Sequence, residues 1–198
     1  MRLYLNVSAW QFAYGLTLSF FMLVASAEDI QRKRISNILV FMMLCAGIIF
    51  NTLELPTNTP AMAYHLGPIG APLALLGSFV GLVMLLPLYL ARGLGAGDVK
   101  LMAALGSFLG PVDIINLTLV ILVTGGCAAV VRMVWIDKTQ LALSHVAELI
   151  TLVTNGKPQS FDPSTQSVER MPFVPAMALG TLIYAGWRWT GGAPFIHF

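Results

Sequence analysis

The stretch Gly93-Leu94-Gly95-Ala96-Gly97-Asp98-Val99-Lys100 gathers glycine, acid and base beside a membrane-length apolar run. Three glycines in five positions open backbone conformations closed to other residues and let other groups approach closely. Asp98 then starts a new apolar segment, so its plainest role is an N-cap, favoured by free helix N–H groups and the helix dipole. A second acid, Asp29, closes the first apolar run in Glu28-Asp29-Ile30-Gln31-Arg32-Lys33-Arg34-Ile35-Ser36-Asn37. Two carboxylates brought together at a low-dielectric boundary do not both ionise readily. One keeps a proton while the other stays charged, and such a pair activates water. The charged group takes a proton from the attacking water as the protonated group donates to the developing oxyanion. The sequence leaves these two roles interchangeable. Lys100, two residues beyond Asp98, does not share its helix face and reads as an anchor snorkelling to the phosphate level. Glu28 reads as a solvated loop acid.

Around these acids the chain resembles the type IV prepilin peptidases, a membrane family of aspartic proteases. The family pattern is an Asp followed six residues later by Ile-Pro-Asn, then a Gly-x-Gly-Asp-x-Lys segment. Asp29 is followed by Ile35-Ser36-Asn37, with Ser36 in the place of the proline, and Gly95-Ala96-Gly97-Asp98-Val99-Lys100 fits in full. Pro172-Phe173-Val174-Pro175 with Leu179-Gly180 is a weaker third match. The resemblance implies Asp29 and Asp98 as catalytic residues, with Gly95, Gly97, Lys100 and Asn37 as the supporting motif. It also implies the substrate: the N-terminal leader of type IV pilin-like precursors, cut at the cytoplasmic membrane face after a Gly and before the pilin's hydrophobic helix. Long family members carry a four-cysteine domain and methylate the new N-terminus. This chain has two cysteines, so methyltransferase activity is not expected, and neither a cofactor nor a metal is implied. The compact form is similar to the peptidases of tight-adherence (Flp) pilus systems and to the archaeal preflagellin enzymes. The Gly-x-Gly-Asp element also resembles that of presenilin-type intramembrane proteases, which use the same two-acid mechanism on other substrates.

The elements that must position these acids follow from composition. Of the residues, 57% are hydrophobic and 10% charged, with mean hydropathy +0.80, whereas a soluble domain carries roughly 25% charge. The predicted fold class is an all-α integral membrane protein of about six transmembrane helices plus an amphipathic interfacial helix, in one domain over residues 1–198. The spans are expected at 6–27, 37–53, 68–91, 98–110, 112–134 and 171–190. Ala25-Ser26-Ala27 imitates a signal-peptidase site, but the preceding apolar run is too long for a usual signal core. Gly77-x-x-x-Gly81 reads as a close-packing face and Pro87 as a kink. The segment 98–110 is short, roughly 20 Å if helical, and must lean on its neighbours. Pro111-Val112-Asp113 makes a tight turn. Ala142, Val146, Leu149, Ile150 and Val153 recur at helical spacing opposite Gln140, Ser144, His145 and Glu148, an amphipathic helix lying along the inner face. A polar loop over 155–170 follows, and Trp187 and Trp189 suit an interface.

Charge orients the array. With the N-terminus outside, Arg32, Lys33, Arg34, Arg92, Lys100, Arg132, Lys138, Lys157 and Arg170 fall on or near the cytoplasmic side, leaving Arg2 and Arg188 outside. That bias satisfies the positive-inside rule and brings Asp29 and Asp98 to one depth. The chain is therefore expected in the bacterial or archaeal inner membrane, multi-pass, with its acids facing the cytoplasm. Partners are the bilayer and pilin-like precursors; dispersed bases exclude nucleic acid, and oligomeric state stays open. Cys45 and Cys127 read as small core residues, and His65 as a surface residue. The alternative function is a small proton- or cation-coupled transporter using the same acids. Transporters carry such groups at mid-membrane on broken helices with repeat symmetry, and here the acids sit at an edge with no internal repeat.

Overall fold

In lipid each backbone N–H and C=O must be paired within the protein, so long apolar runs become helices. The computed structural model describes residues 2–53, 69–91, 93–135, 172–189, 193 and 195–196. Among them are five helices: α1 (Arg2–Arg32), α2 (Asn37–Thr52), α3 (Ala71–Leu90), α4 (Ala96–Trp135) and α5 (Val174–Trp189). Three segments are long and apolar enough to cross a membrane: Phe12–Arg32 in α1, Ala71–Leu90, and Ala96–Val131 in α4. The helix α2, at 16 residues, is apolar but shorter. The first helix continues beyond residue 27 to carry Asp29 within it. The amphipathic helix over 139–153, the loop over 155–170 and His65 lie outside the described residues.

The expected spans 98–110 and 112–134 are the two halves of α4, two helices that meet at a break at Gly110 (φ 78, ψ 179). That φ lies in the left-handed region, which glycine adopts without strain, and Pro111 follows where a helix start tolerates a missing N–H. The chain reverses here. A Cβ placed on Gly81 would lie 3.1 Å from the Met102 carbonyl carbon and 3.2 Å from Ile114 Cγ1. Twelve residues of straight helix would hold those positions about 18 Å apart.

The helix α3 lies against this hairpin backbone to backbone. A Cβ on Gly77 would meet Gly106 O at 2.3 Å, and one on Gly81 would meet Met102 O at 2.5 Å. The glycine pair thus forms the close-packing face its spacing predicts. Residues 101–110 are all buried, so the short segment is the centre of the bundle. Pro87 is held inside α3, which runs on to Leu90. Outward-facing residues such as Phe20, Ile38, Phe41, Phe79 and Val123 are more than half exposed, as a lipid-facing surface requires. Cys127 belongs to that exposed face and Cys45 is half-buried, so neither is the core residue expected.

At the end of the bundle remote from the two aspartates, buried Asn51 closes the turn. Its Nδ2 donates to Ser107 O (2.7 Å) and Phe108 O (3.0 Å), carbonyls that lose helical partners at the Gly110 break, and its Oδ1 accepts from Ile69 N–H (3.1 Å). The Tyr14 hydroxyl also donates to Phe108 O. Asp113 lies within the second half of α4 and not in a turn. It pairs with buried Arg188 of α5 at 3.3 Å and accepts from the Tyr184 hydroxyl.

Candidate active site

Asp29 and Asp98 come from separate helices to the same end of the bundle. Asp29 lies in the last turn of α1 and is 8% exposed; Asp98 lies in the first turn of α4 and is 9% exposed. Ile35, six residues after Asp29, packs on Gly97, the neighbour of Asp98, so both acids belong to that end. The reason Asp98 sits there is local. Gly95 N–H donates to Asp98 Oδ2 (3.0 Å) while Asp98 N–H donates to Gly95 O (3.2 Å), a reciprocal closure of the helix start. Asp98 is thus not the N-cap of α4. It is the third helical residue, reaching back over the first turn.

Asp29 is held from a distant part of the chain. The N–H of Val174, the first residue of α5, donates to Asp29 Oδ2 at 3.1 Å. A helix start offers free N–H groups and a positive dipole end, so a carboxylate is favoured there. Among the described residues each acid therefore takes one backbone N–H through Oδ2, and Oδ1 of each carries no protein hydrogen bond. Such anchoring fixes a carboxyl group's orientation and leaves an oxygen for water or substrate.

Two further contacts join the segment after Asp29 to the segment around Asp98. A Cβ on Gly97 would lie 3.2 Å from Ile35 Cδ1 and 3.4 Å from Ile35 Cβ, so glycine lets Ile35 seat against the start of α4. Lys100 Nζ donates to Asn37 Oδ1 at 3.1 Å, which corrects its expected role as a lipid anchor: it ties the two motifs together. Glu28 is not a freely solvated loop acid either, because its Oε2 accepts from Ser36 N–H at 2.8 Å. Ser36 has φ −65 and ψ 130, angles that a proline at this position could also adopt. The contribution of Val174 escaped the sequence because a backbone N–H has no residue type to mark it. Pro172-Phe173-Val174-Pro175 was its only trace.

The sequence pattern of the type IV leader peptidase family matches residues 16–130, more than half of the chain and both aspartates. The chain belongs to the type IV leader peptidase family. It is a membrane protein and an aspartic-type prepilin leader peptidase. No curated protein and no solved structure matches the sequence. The match ends before α5, so the N–H that holds Asp29 in this leader peptidase comes from outside the matched stretch. Among the described residues of the leader peptidase no three His, Cys, Asp or Glu side chains gather as a metal site.

Proposed function

We propose that Asp29 and Asp98 are the catalytic pair of this leader peptidase. What supports the reading is that both acids are buried at one end of the bundle, each oriented by a backbone N–H. A water between the two carboxyls loses a proton to the charged one as it attacks the scissile carbonyl. The protonated one donates to the developing oxyanion; the proton taken from water then passes to the departing amine, and the first donor recovers its own from the diol hydroxyl as the C–N bond breaks. Ile35 on Gly97 and Asn37 on Lys100 keep the acids' two segments in register.

The chain acts as one membrane domain over 1–198 that crosses six times with both termini outside, its two α4 halves counting as separate crossings. Nine of its 11 bases then lie at the cytoplasmic side with the acids, and cleavage occurs there. Substrates are pilin-like precursors with short basic leaders, cut after Gly, and the compact form suits a tight-adherence (Flp) pilus. The family match leaves the transporter alternative without support.

The test is to incubate membranes containing the chain with such a precursor and sequence the product's N-terminus. Cleavage after the leader's Gly, unchanged by EDTA or by serine and cysteine reagents, is the expected result. A cut elsewhere, or loss of cleavage from purified enzyme on adding EDTA, contradicts the reading.

A further inference from the structure

The segment between α1 and α2 is only four residues long, yet it carries contacts that bring Asp29's surroundings to Asp98. The first helix ends at Arg32, and Lys33 takes the left-handed φ of 50 while its N–H donates to Asp29 O at 2.9 Å. This is the single-bond helix stop in a residue other than glycine. The chain then seats Ile35 against Gly97 and enters α2 at Asn37, whose Oδ1 takes Lys100 Nζ. Between those contacts stands Ser36, the residue before α2. Its N–H has no place in the α2 ladder and goes instead to Glu28 Oε2, back across the turn.

Ser36 is chemically odd at this place. It precedes a helix, where a serine hydroxyl usually caps, yet its side chain makes no capping bond. Its backbone φ of −65 is the angle a proline ring imposes. What the residue contributes is therefore its N–H, and what that N–H meets is Glu28. The turn can be fixed by a ring at position 36 or by this hydrogen bond, and here it is fixed by the bond.

We propose that Glu28 is a positioning residue for the dyad: by holding the Ser36 N–H it locks the 33–36 turn so that Ile35 docks on Gly97 and Asn37 on Lys100. The proposal rests on the reading of Asp29 and Asp98 as the catalytic pair. Glu28 acts through the Ser36 N–H that its side chain holds. Its removal acts through the turn, because alanine at position 28 costs the α1 helix nothing in propensity.

The test is a cycle in the full chain in membranes, with precursor cleavage divided by the amount of folded protein. Glu28→Ala is expected to lower cleavage about tenfold, the fold-change of about 1.4 kcal/mol. Glu28→Gln, which keeps an acceptor oxygen, should stay within about threefold of wild type. In a Ser36→Pro background, where the ring fixes φ and no N–H is left to hold, Glu28→Ala should change cleavage less than about twofold. A second readout needs no activity. Cysteines replacing Ile35 and Gly97, with Cys45 and Cys127 changed to Ala, should form a disulfide, since the Cβ separation of 3.4 Å falls just under the roughly 3.5–4.5 Å of disulfides and a small shift closes the bridge. Its yield, read as a maleimide–polyethylene glycol gel shift, should fall with Glu28→Ala and return when Ser36→Pro is added.

An equal loss from Glu28→Ala in both backgrounds overturns the proposal, as does no loss in the Ser36 background or an unchanged disulfide yield. Loss of cleavage in Ser36→Pro alone also overturns it, since φ −65 admits the ring. Failure of the dyad reading is distinguishable: it appears as cleavage surviving in Asp98→Asn, whereas the disulfide yield still reports on the turn.

Discussion

Buried Arg188 pairs with partly buried Asp113, with Tyr184 on the same carboxylate, far along α5 from Val174 and Asp29. Removing one partner of such a pair strands a charge, whereas replacing both with apolar residues is often neutral. Asp113→Asn should therefore lower stability by roughly 3 kcal/mol, and Asp113→Leu with Arg188→Met should recover most of it. Thermal unfolding in detergent measures both; an unchanged midpoint for Asp113→Asn would show the pair to be idle. Cleavage per folded molecule should stay at the wild-type level, because the pair lies about 21 Å along the helix from Val174. A second prediction concerns Gly97. A valine there must push Ile35 aside, so Gly97→Val should reduce precursor cleavage by at least about tenfold. Gly126→Val is the matched control, since a Cβ at Gly126 meets nothing within 4 Å. Equal rates for the two variants would remove Gly97 from the site.

At the scale of elements, the α4 hairpin and α3 stand on backbone contact. Gly81→Leu would drive a side chain into the Met102 carbonyl, which lies 2.5 Å from the position of a Cβ. It should abolish trypsin-resistant protein in membranes, and a resistant core of normal yield would contradict the packing described. Gly77-x-x-x-Gly81 was legible in sequence because it is a local signal with its own mechanics; the turn expected over Pro111-Val112-Asp113 falls instead at Gly110, with 111–113 already helical. Which helix packs on which was not legible. These helices are apolar nearly all round, so no polar face marks the buried side. The same gap hid the burial of 101–110, the pairing of Asp113 with Arg188, and the seating of α5 on Asp29. Each depends on partners far apart in sequence. The acids themselves were legible because their glycine, lysine and asparagine neighbours stand within a few residues of them. The link from Lys100 to Asn37 joins two such local patterns through space, which neither one announces.

For the whole molecule, the proposed topology has one end of the bundle in the cytoplasm and the other outside. Reporter fusions after Arg34 should report cytoplasm and fusions after Leu53 the outer side, because the bases cluster with the acids. Reversal of either signal would invert the site's location. The central claim is that Asp29 and Asp98 work as one unit, and amide substitution tests it most directly. Asn keeps the size and polarity of Asp, so the chain should still insert and fold. Residues acting as a unit lose activity together, not additively. Precursor cleavage, measured as a mobility shift with variant levels quantified alongside, should be almost abolished in Asp29→Asn and in Asp98→Asn, with the double variant little worse. Near wild-type cleavage by Asp98→Asn would contradict the account and return Asp98 to being a residue that closes the first turn of α4.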